Sequence, residues 1–274
     1  MKILISADME GITGITTWDQ VTPGHPEYER SRRLMTADVN AAVRGAFEGG
    51  AREVSVTDGH WNGSNILIEE LDPRAQLNSG SPSPLSMMQG ITEDIDGVMF
   101  IGYHARHGTP HAVMDHTWSS TCVHNLWLNE VLAGEYTLNA ALAGHHGVPV
   151  VLASGDLAAC TQISQLIQSV EVVVVKEAGA RYAAACSAPS VTQPLIQARS
   201  RHALEQLSRK QAPEPLVLAH PIRLALEFQS SDMADRAGLW PGAEREGLTL
   251  ALTSDDMLRI FEAFRGMVNL AYPR

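Results

Sequence analysis

Four short apolar runs, each halting at an acid or an imidazole, constrain this chain more than any other feature. KILISA stops at Asp8, EVSVTD runs into Asp58-Gly59-His60, DGVMFIGYH ends on His104, and GVPVVLASGD (147–156) closes on Asp156. Apolar runs of that length, bounded by glycine and polar residues, read as buried strands. Between the first two, the stretch from Glu27 to Glu48 places Leu34, Val39, Val43 and Phe47 near helical spacing, and Gly49-Gly50 supplies the stop. Strand, loop, helix, strand is the order of a right-handed βαβ unit. The expected fold class is therefore α/β, a mostly parallel central sheet flanked by helices, with a smaller C-terminal α+β portion.

The rest of the chain fills that frame. Met114 to Trp127, rich in Thr, Val, Trp and Cys, favours extended structure, and Glu135 to His146 is an alanine-rich helix that begins after Gly134. Residues 156–175 read as a helix leading into the strand VEVVVVKEAG. Beyond them come a helical stretch from Pro194 to Lys210, a strand PLVLAH, a partner strand IRLALEFQ and a final helix from Asp255 to Leu270. No repeat interrupts the chain, and SGSPSP at 79–84 is short enough to be one loop. Residues 1–274 are expected to form a single domain, with the chemistry within 1–180 and 187–274 as a C-terminal portion, a subdomain or an assembly surface.

Composition excludes several classes of partner. With 31 acidic against 20 basic residues and a formal charge of −11, the chain repels a phosphate backbone or an anionic membrane on average, so nucleic acid and membrane are not expected as partners. MKILISADMEG holds too few apolar residues for a leader, and no run approaches a membrane span. Cys122, Cys160 and Cys186 are odd in number and lack C-x-x-C spacing. They are expected to be small buried hydrophobes in a reducing compartment, and the protein cytoplasmic.

In an open parallel sheet, ligands bind beyond the carboxyl ends of the strands. Asp8, His60 and His104 fall at three such ends. Asp8 and Glu10 are one residue apart, so extended backbone points both carboxylates to one side, and Gly11 lets the chain turn. Carboxylates and imidazoles together suit Zn²⁺ or Mn²⁺. Each residue taken alone also has an ordinary explanation as a cap, a solvated loop residue or a hydrogen-bonded imidazole. His107, His111 and His124 lie near the same segments, His145-His146 fits a helix C-terminus, and Lys176-Glu177 is a second-shell pair or surface.

Five motifs, SADMEG (6–11), TDGH (57–60), GYHARHGTP (102–110), MDHTWSS (114–120) and NEVLAGEYTLNAALAG (129–144), occur in one order. Over roughly residues 1–180 the chain resembles the D-aminopeptidase family of dipeptide-utilisation operons, binuclear zinc, self-compartmentalising decameric peptidases. The resemblance implies two zinc ions held by Asp8, Glu10, His60, His104 and Glu135, with Asp8 bridging them and His116 in the catalytic machinery as base or nucleophile. It implies a zinc-dependent aminopeptidase that removes the N-terminal residue of short peptides, D-alanine-containing di- and tripeptides among them, as a homo-oligomer. The chain departs from the family's pattern at Gly59, where a serine is common, and at Glu130, where a glycine is common, which puts the stereochemical preference in doubt. Alternatives are a metal-dependent amidohydrolase or L-aminopeptidase on the same scaffold, or a non-catalytic metal- or peptide-binding protein.

Overall fold

The computed structural model describes residues 1–272. The first strand, β1 (Lys2–Ala7), leads through a loop and a short helix, α1 (Trp18–Val21), into the long helix α2 (Tyr28–Glu48), which returns the chain to β2 (Glu53–Asp58) and then β3 (Ala75–Asn78). Next come β4 (Gly97–Tyr103), the hairpin β5 (Val123–Leu128) and β6 (Val131–Ala133), helix α3 (Glu135–His145), β7 (Val150–Asp156), α4 (Leu157–Leu166) and the hairpin β8 (Glu171–Ala180) and β9 (Ala183–Cys186). The remainder is α5 (Pro189–Ser208), β10 (Ile222–Phe228), α6 (Ser231–Ala237), β11 (Glu244–Glu246), β12 (Thr249–Ser254) and α7 (Met257–Ala271).

All four acid- or imidazole-terminated runs are strands of one sheet, ordered β3-β2-β1-β4-β7-β8-β9, with every pair parallel except β8–β9. The α/β expectation is met. The chain builds outward from β1 through β2 to β3, then resumes on the other side of β1 with β4. The strand order therefore reverses between β1 and β4, and the crevice beyond their carboxyl ends is where such sheets hold ligands. Asp8, His60 and His104 open onto it. One face of the sheet packs on α2 and α5 through Ile3, Ile5, Val39, Val43, Ile196 and Leu204.

The other face, with Leu4, Val98 and Phe100, shares a cluster with Leu224, Leu226, Phe261 and Phe264. Those last four belong to a second, antiparallel sheet, β11-β12-β10-β5-β6, and to α7. Here the sequence expectation needs correcting. PLVLAH (215–220) is not a strand, because Pro213, Pro215 and Pro221 bracket it and both edges of β10 are already taken by β5 and β12. It instead runs across α3, with the Leu216 carbonyl so close to Gly144 that any Cβ there would lie 2.0 Å from it. Of Met114–Trp127, only the part from Val123 is strand; Met114 and Trp118 have left-handed φ values of 45° and 64° that no ladder accepts. Helix α5 starts at Pro189 rather than Pro194, since Pro189 occupies the first-turn position that tolerates the ring. Cys122 and Cys160 are buried as expected, but Cys186 is exposed at the end of the edge strand β9.

Candidate metal centre

The loop that follows β1 carries Asp8 and Glu10, and its close approach to β4 depends on two glycines. Gly11 donates its amide to the Gly102 carbonyl at 2.7 Å, and a Cβ on Gly11 would sit 2.0 Å from the Tyr103 carbonyl. Gly102, at φ 75°, would place a Cβ 2.3 Å from the Asp8 carbonyl. Lys176 of β8, fully buried, then fixes the loop from behind. Its ammonium donates to the carbonyls of Glu10, Ile12 and Ile15 at 2.6, 2.8 and 2.6 Å, using all three of its protons. Burial pulls its pKa down to about 8, against the opposing pull of Asp156, Cys186, Asp38 and Glu10.

His60 is delivered by a turn built on Asp58. That carboxylate accepts from the amides of Asn65 and Ile66 at 2.6 and 2.7 Å and from Asn65 Nδ2 at 2.7 Å, and Asn65 Nδ2 also donates to the His60 carbonyl. Gly59 lies under Met87: a Cβ there would be 2.9 Å from the Ala7 carbonyl and 3.0 Å from Met87 Cγ, so Met87 fills the room that a serine needs. Glu135 comes from the other sheet. It is the first residue of α3, where the helix dipole favours a carboxylate, and its Oε1 accepts from the Trp118 amide at 2.6 Å. Asn139, one turn on, donates to Tyr103, which bonds Ser6, so β1, β4 and α3 are tied by buried polar groups.

Together these elements bury three carboxylates and three imidazoles. His60 Nδ1 lies 3.3 Å from Asp8 Oδ1 and 3.1 Å from Glu10 Oε2, while His104 Nε2 lies 3.4 Å from Asp8 Oδ2 and 3.0 Å from Glu135 Oε1. Asp8 thus offers one oxygen to each half of the site. Two groups emerge, Asp8–Glu10–His60 and His104–His116–Glu135, each with donor atoms within 4.8 Å of one another. All six sequence-singled residues converge. His107 does not: its ring packs on His124 with centroids 4.8 Å apart, and His111 is exposed.

Every imidazole is oriented by a backbone carbonyl on its far side. His60 Nε2 lies 2.8 Å from the Val21 carbonyl, His104 Nδ1 3.0 Å from that of Ala105, and His116 Nδ1 2.8 Å from that of Met114. Only a protonated nitrogen makes such a bond, so the inward nitrogens of the neutral rings present lone pairs. At His60 and His104 those lone pairs face carboxylate oxygens, a repulsion that only a proton or a cation between them relieves. Glu10 Oε2 and His104 Nε2 have no hydrogen-bond partner. Without a metal, protons take that place. Burial opposes charge on His60 and His104, yet Glu10 and Asp8 lift the first well above the ordinary imidazole value, and Glu135, Asp8 and Glu10 lift the second to about 10. Burial raises Glu10, but His60 and His104 bring it down to about 2. Burial and the neighbouring His104 charge push His116 the other way, to about 4. The donor set fits a pair of hard-to-borderline dications.

Comparison with known proteins agrees with this chemistry. A family model described as D-aminopeptidase, of the M55 peptidases, matches residues 1–266. The chain belongs to the D-aminopeptidase family. A D-aminopeptidase of Bacillus subtilis (strain 168) is 36% identical over 273 residues, covering 99% of this chain and 98% of the relative. The solved structure of the Zn-dependent D-aminopeptidase DppA from Bacillus subtilis, described as a self-compartmentalizing protease, superposes with a TM-score of 0.95 at 36% identity over 99% of this chain and 98% of that one.

Sequence reasoning missed what holds the D-aminopeptidase motifs in place. Lys176 carries no signal of this in the sequence, because a lysine at a strand end is ordinarily exposed, yet here it is buried behind the ligand loop. Asn65 and Trp18, whose ring lies edge-on to His116 at 5.2 Å, carried no motif at all.

Proposed function

We propose that this chain is a binuclear zinc aminopeptidase that removes the N-terminal residue of short peptides, D-alanine-containing di- and tripeptides first among them. The observation that carries the reading is Asp8, buried between the two donor groups with one oxygen turned to each. Asp8, Glu10 and His60 would hold one ion, and Asp8, His104 and Glu135 the other. Bound there, the pair of ions supplies Lewis acidity at the scissile carbonyl, an acidified water and an anchor for the free α-amine. The chain's own residues do the rest. His116 Nδ1 keeps its proton on the Met114 carbonyl, which leaves Nε2 as the atom that takes a proton and returns it to the departing amine. Burial of the ring favours its neutral form, which leaves that atom free to accept a proton. Trp18 packs edge-on against the ring and helps fix its plane.

The proximity of His116 to His104 and Glu135 favours a second reading, in which His116 is itself a ligand. Elemental analysis of His116→Ala separates the two: two zinc per chain with lost turnover supports the base, and one zinc supports the ligand. The whole reading is tested by release of free amino acid from D-Ala-D-Ala and L-Ala-L-Ala, with and without a chelator. Chelator-sensitive cleavage of the D-peptide supports it, cleavage of the L-peptide alone discards the specificity, and no cleavage discards the activity. Assembly as a homodecamer in the cytoplasm belongs to the same reading, and the self-compartmentalizing description of the Bacillus relative supports its oligomeric part. Light scattering that returns the mass of a single chain would remove it.

A further inference from the structure

The β8–β9 hairpin contributes no donor to the metal centre, yet its tip grips the segment that carries His116. The Arg181 carbonyl accepts the Met114 amide at 2.9 Å, and the Arg181 guanidinium reaches over the same segment, donating through one terminal nitrogen to the Asp115 carbonyl at 2.8 Å. Its Nε lies 2.9 Å from Asp115 Oδ1. The other oxygen of that carboxylate accepts the Gly108 amide at 2.7 Å, so Asp115 also ties in the loop that follows His104. Next to Arg181, the Tyr182 hydroxyl accepts from Trp18 Nε1 at 3.2 Å, and Trp18 is the ring packed edge-on against His116.

These contacts bear on one awkward piece of backbone. Met114 is buried with φ at 45°, a left-handed conformation that costs a side-chain-bearing residue about 1 kcal/mol or more and persists only where its surroundings impose it. In that conformation its carbonyl points at His116 Nδ1. Arg181 holds both sides of the constraint: its main chain takes the Met114 amide, and its side chain donates to the carbonyl of the next residue and pairs its charge with that residue's carboxylate.

We propose that Arg181, paired with Asp115, is a positioning residue that keeps the Met114 carbonyl on His116 Nδ1 and thereby keeps Nε2 directed into the metal centre. This rests on the role given to His116 above. Arg181 touches none of the metal donors, and its guanidinium is partly open to solvent, so its loss leaves a gap that a small cation can re-enter.

The test uses the zinc-loaded protein and three variants. Arg181→Ala should lower kcat by about 10- to 100-fold, the scale on which misplacement of a catalytic group acts, with KM within about twofold and zinc content unchanged. Millimolar guanidinium should restore kcat saturably, and urea, its uncharged analogue, should not. Arg181→Lys, which keeps the charge and loses the fork, should fall between. Parental kcat in Arg181→Ala overturns the proposal. So does a loss of zinc and of melting temperature in both Arg181 variants without guanidinium rescue, which marks the pair as a general stabiliser. His116→Ala is the control: if it turns over normally, the role of His116 fails; if it is inactive while Arg181→Ala is not, the positioning role alone fails.

Discussion

Asp38 gives the sharpest energetic test of how the first ligand loop is held. It lies on α2, buried, with Oδ2 accepting the Thr13 amide at 3.0 Å and Oδ1 without a partner. Burial raises its pKa from 3.8 to about 6, in spite of the Thr13 bonds and the Lys176 charge. The folded state therefore binds the proton more tightly than the unfolded chain, so folding is favoured below the unfolded value and loses stability as pH rises towards about 6. At 1.36 kcal/mol per pH unit, the loss across that window is about 3 kcal/mol. Asp38→Asn keeps the acceptor for Thr13 and removes the charge. The variant should match the parent near pH 4 and exceed it by about 2–3 kcal/mol near pH 7.5, with the gain appearing between. Urea unfolding of both metal-free proteins across that range, compared through midpoint and m-value, reads the difference. A variant no more stable than the parent near neutrality, or a difference that does not change with pH, would refute the reasoning.

Other consequences are equally direct. Lys176→Met leaves the carbonyls of Glu10, Ile12 and Ile15 without donors; at about 1–3 kcal/mol for each orphaned group, less the relief from burying no ammonium, it should cost about 3 kcal/mol in urea unfolding and weaken zinc retention in dialysis. Glu130 sits with Asn129 in the two-residue turn joining β5 and β6, both at positive φ (65° and 48°), so Glu130→Gly should stabilise the protein by about 0.5–1 kcal/mol in the same assay without altering kcat. Zinc at about 100 times its dissociation constant should add about 2.7 kcal/mol per site to the stability of the parent, and Asp8→Asn should abolish most of that gain; an unchanged gain would remove Asp8 from both sites.

The centre of the parallel sheet was legible because β1, β4 and β7, buried on both faces, are written as apolar runs that stop where the polar crevice begins. Asp8 and His104 at those stops, and His60 after β2, could be named from strand ends alone, whereas Glu135 and His116 came from the family resemblance, since neither ends a run. In the antiparallel sheet β5 and β10 were legible, and the rest was obscure for a physical reason. TLALTS exposes part of one face and so lacks a continuous run, while PLVLAH is apolar because it lies along α3 and not because it joins a ladder. The supports of the site were harder still. A buried Lys176 or an Asp115–Arg181 pair is recognisable only once the topology sets residues far apart in sequence side by side.

The path of Glu135 has a consequence for the life of the chain. Four donors come from loops of the parallel sheet, but Glu135 follows β6, whose partner β5 is joined to the rest of its sheet through β10, with β12 beyond. A two-strand hairpin is marginal on its own. The hairpin that delivers the last donor is therefore completed only by residues beyond 220, long after Asp8 has left the ribosome. In the folded chain the donor thus rests on two supports, the buried Asn139–Tyr103–Ser6 bonds to the parallel sheet and the late strands behind the hairpin.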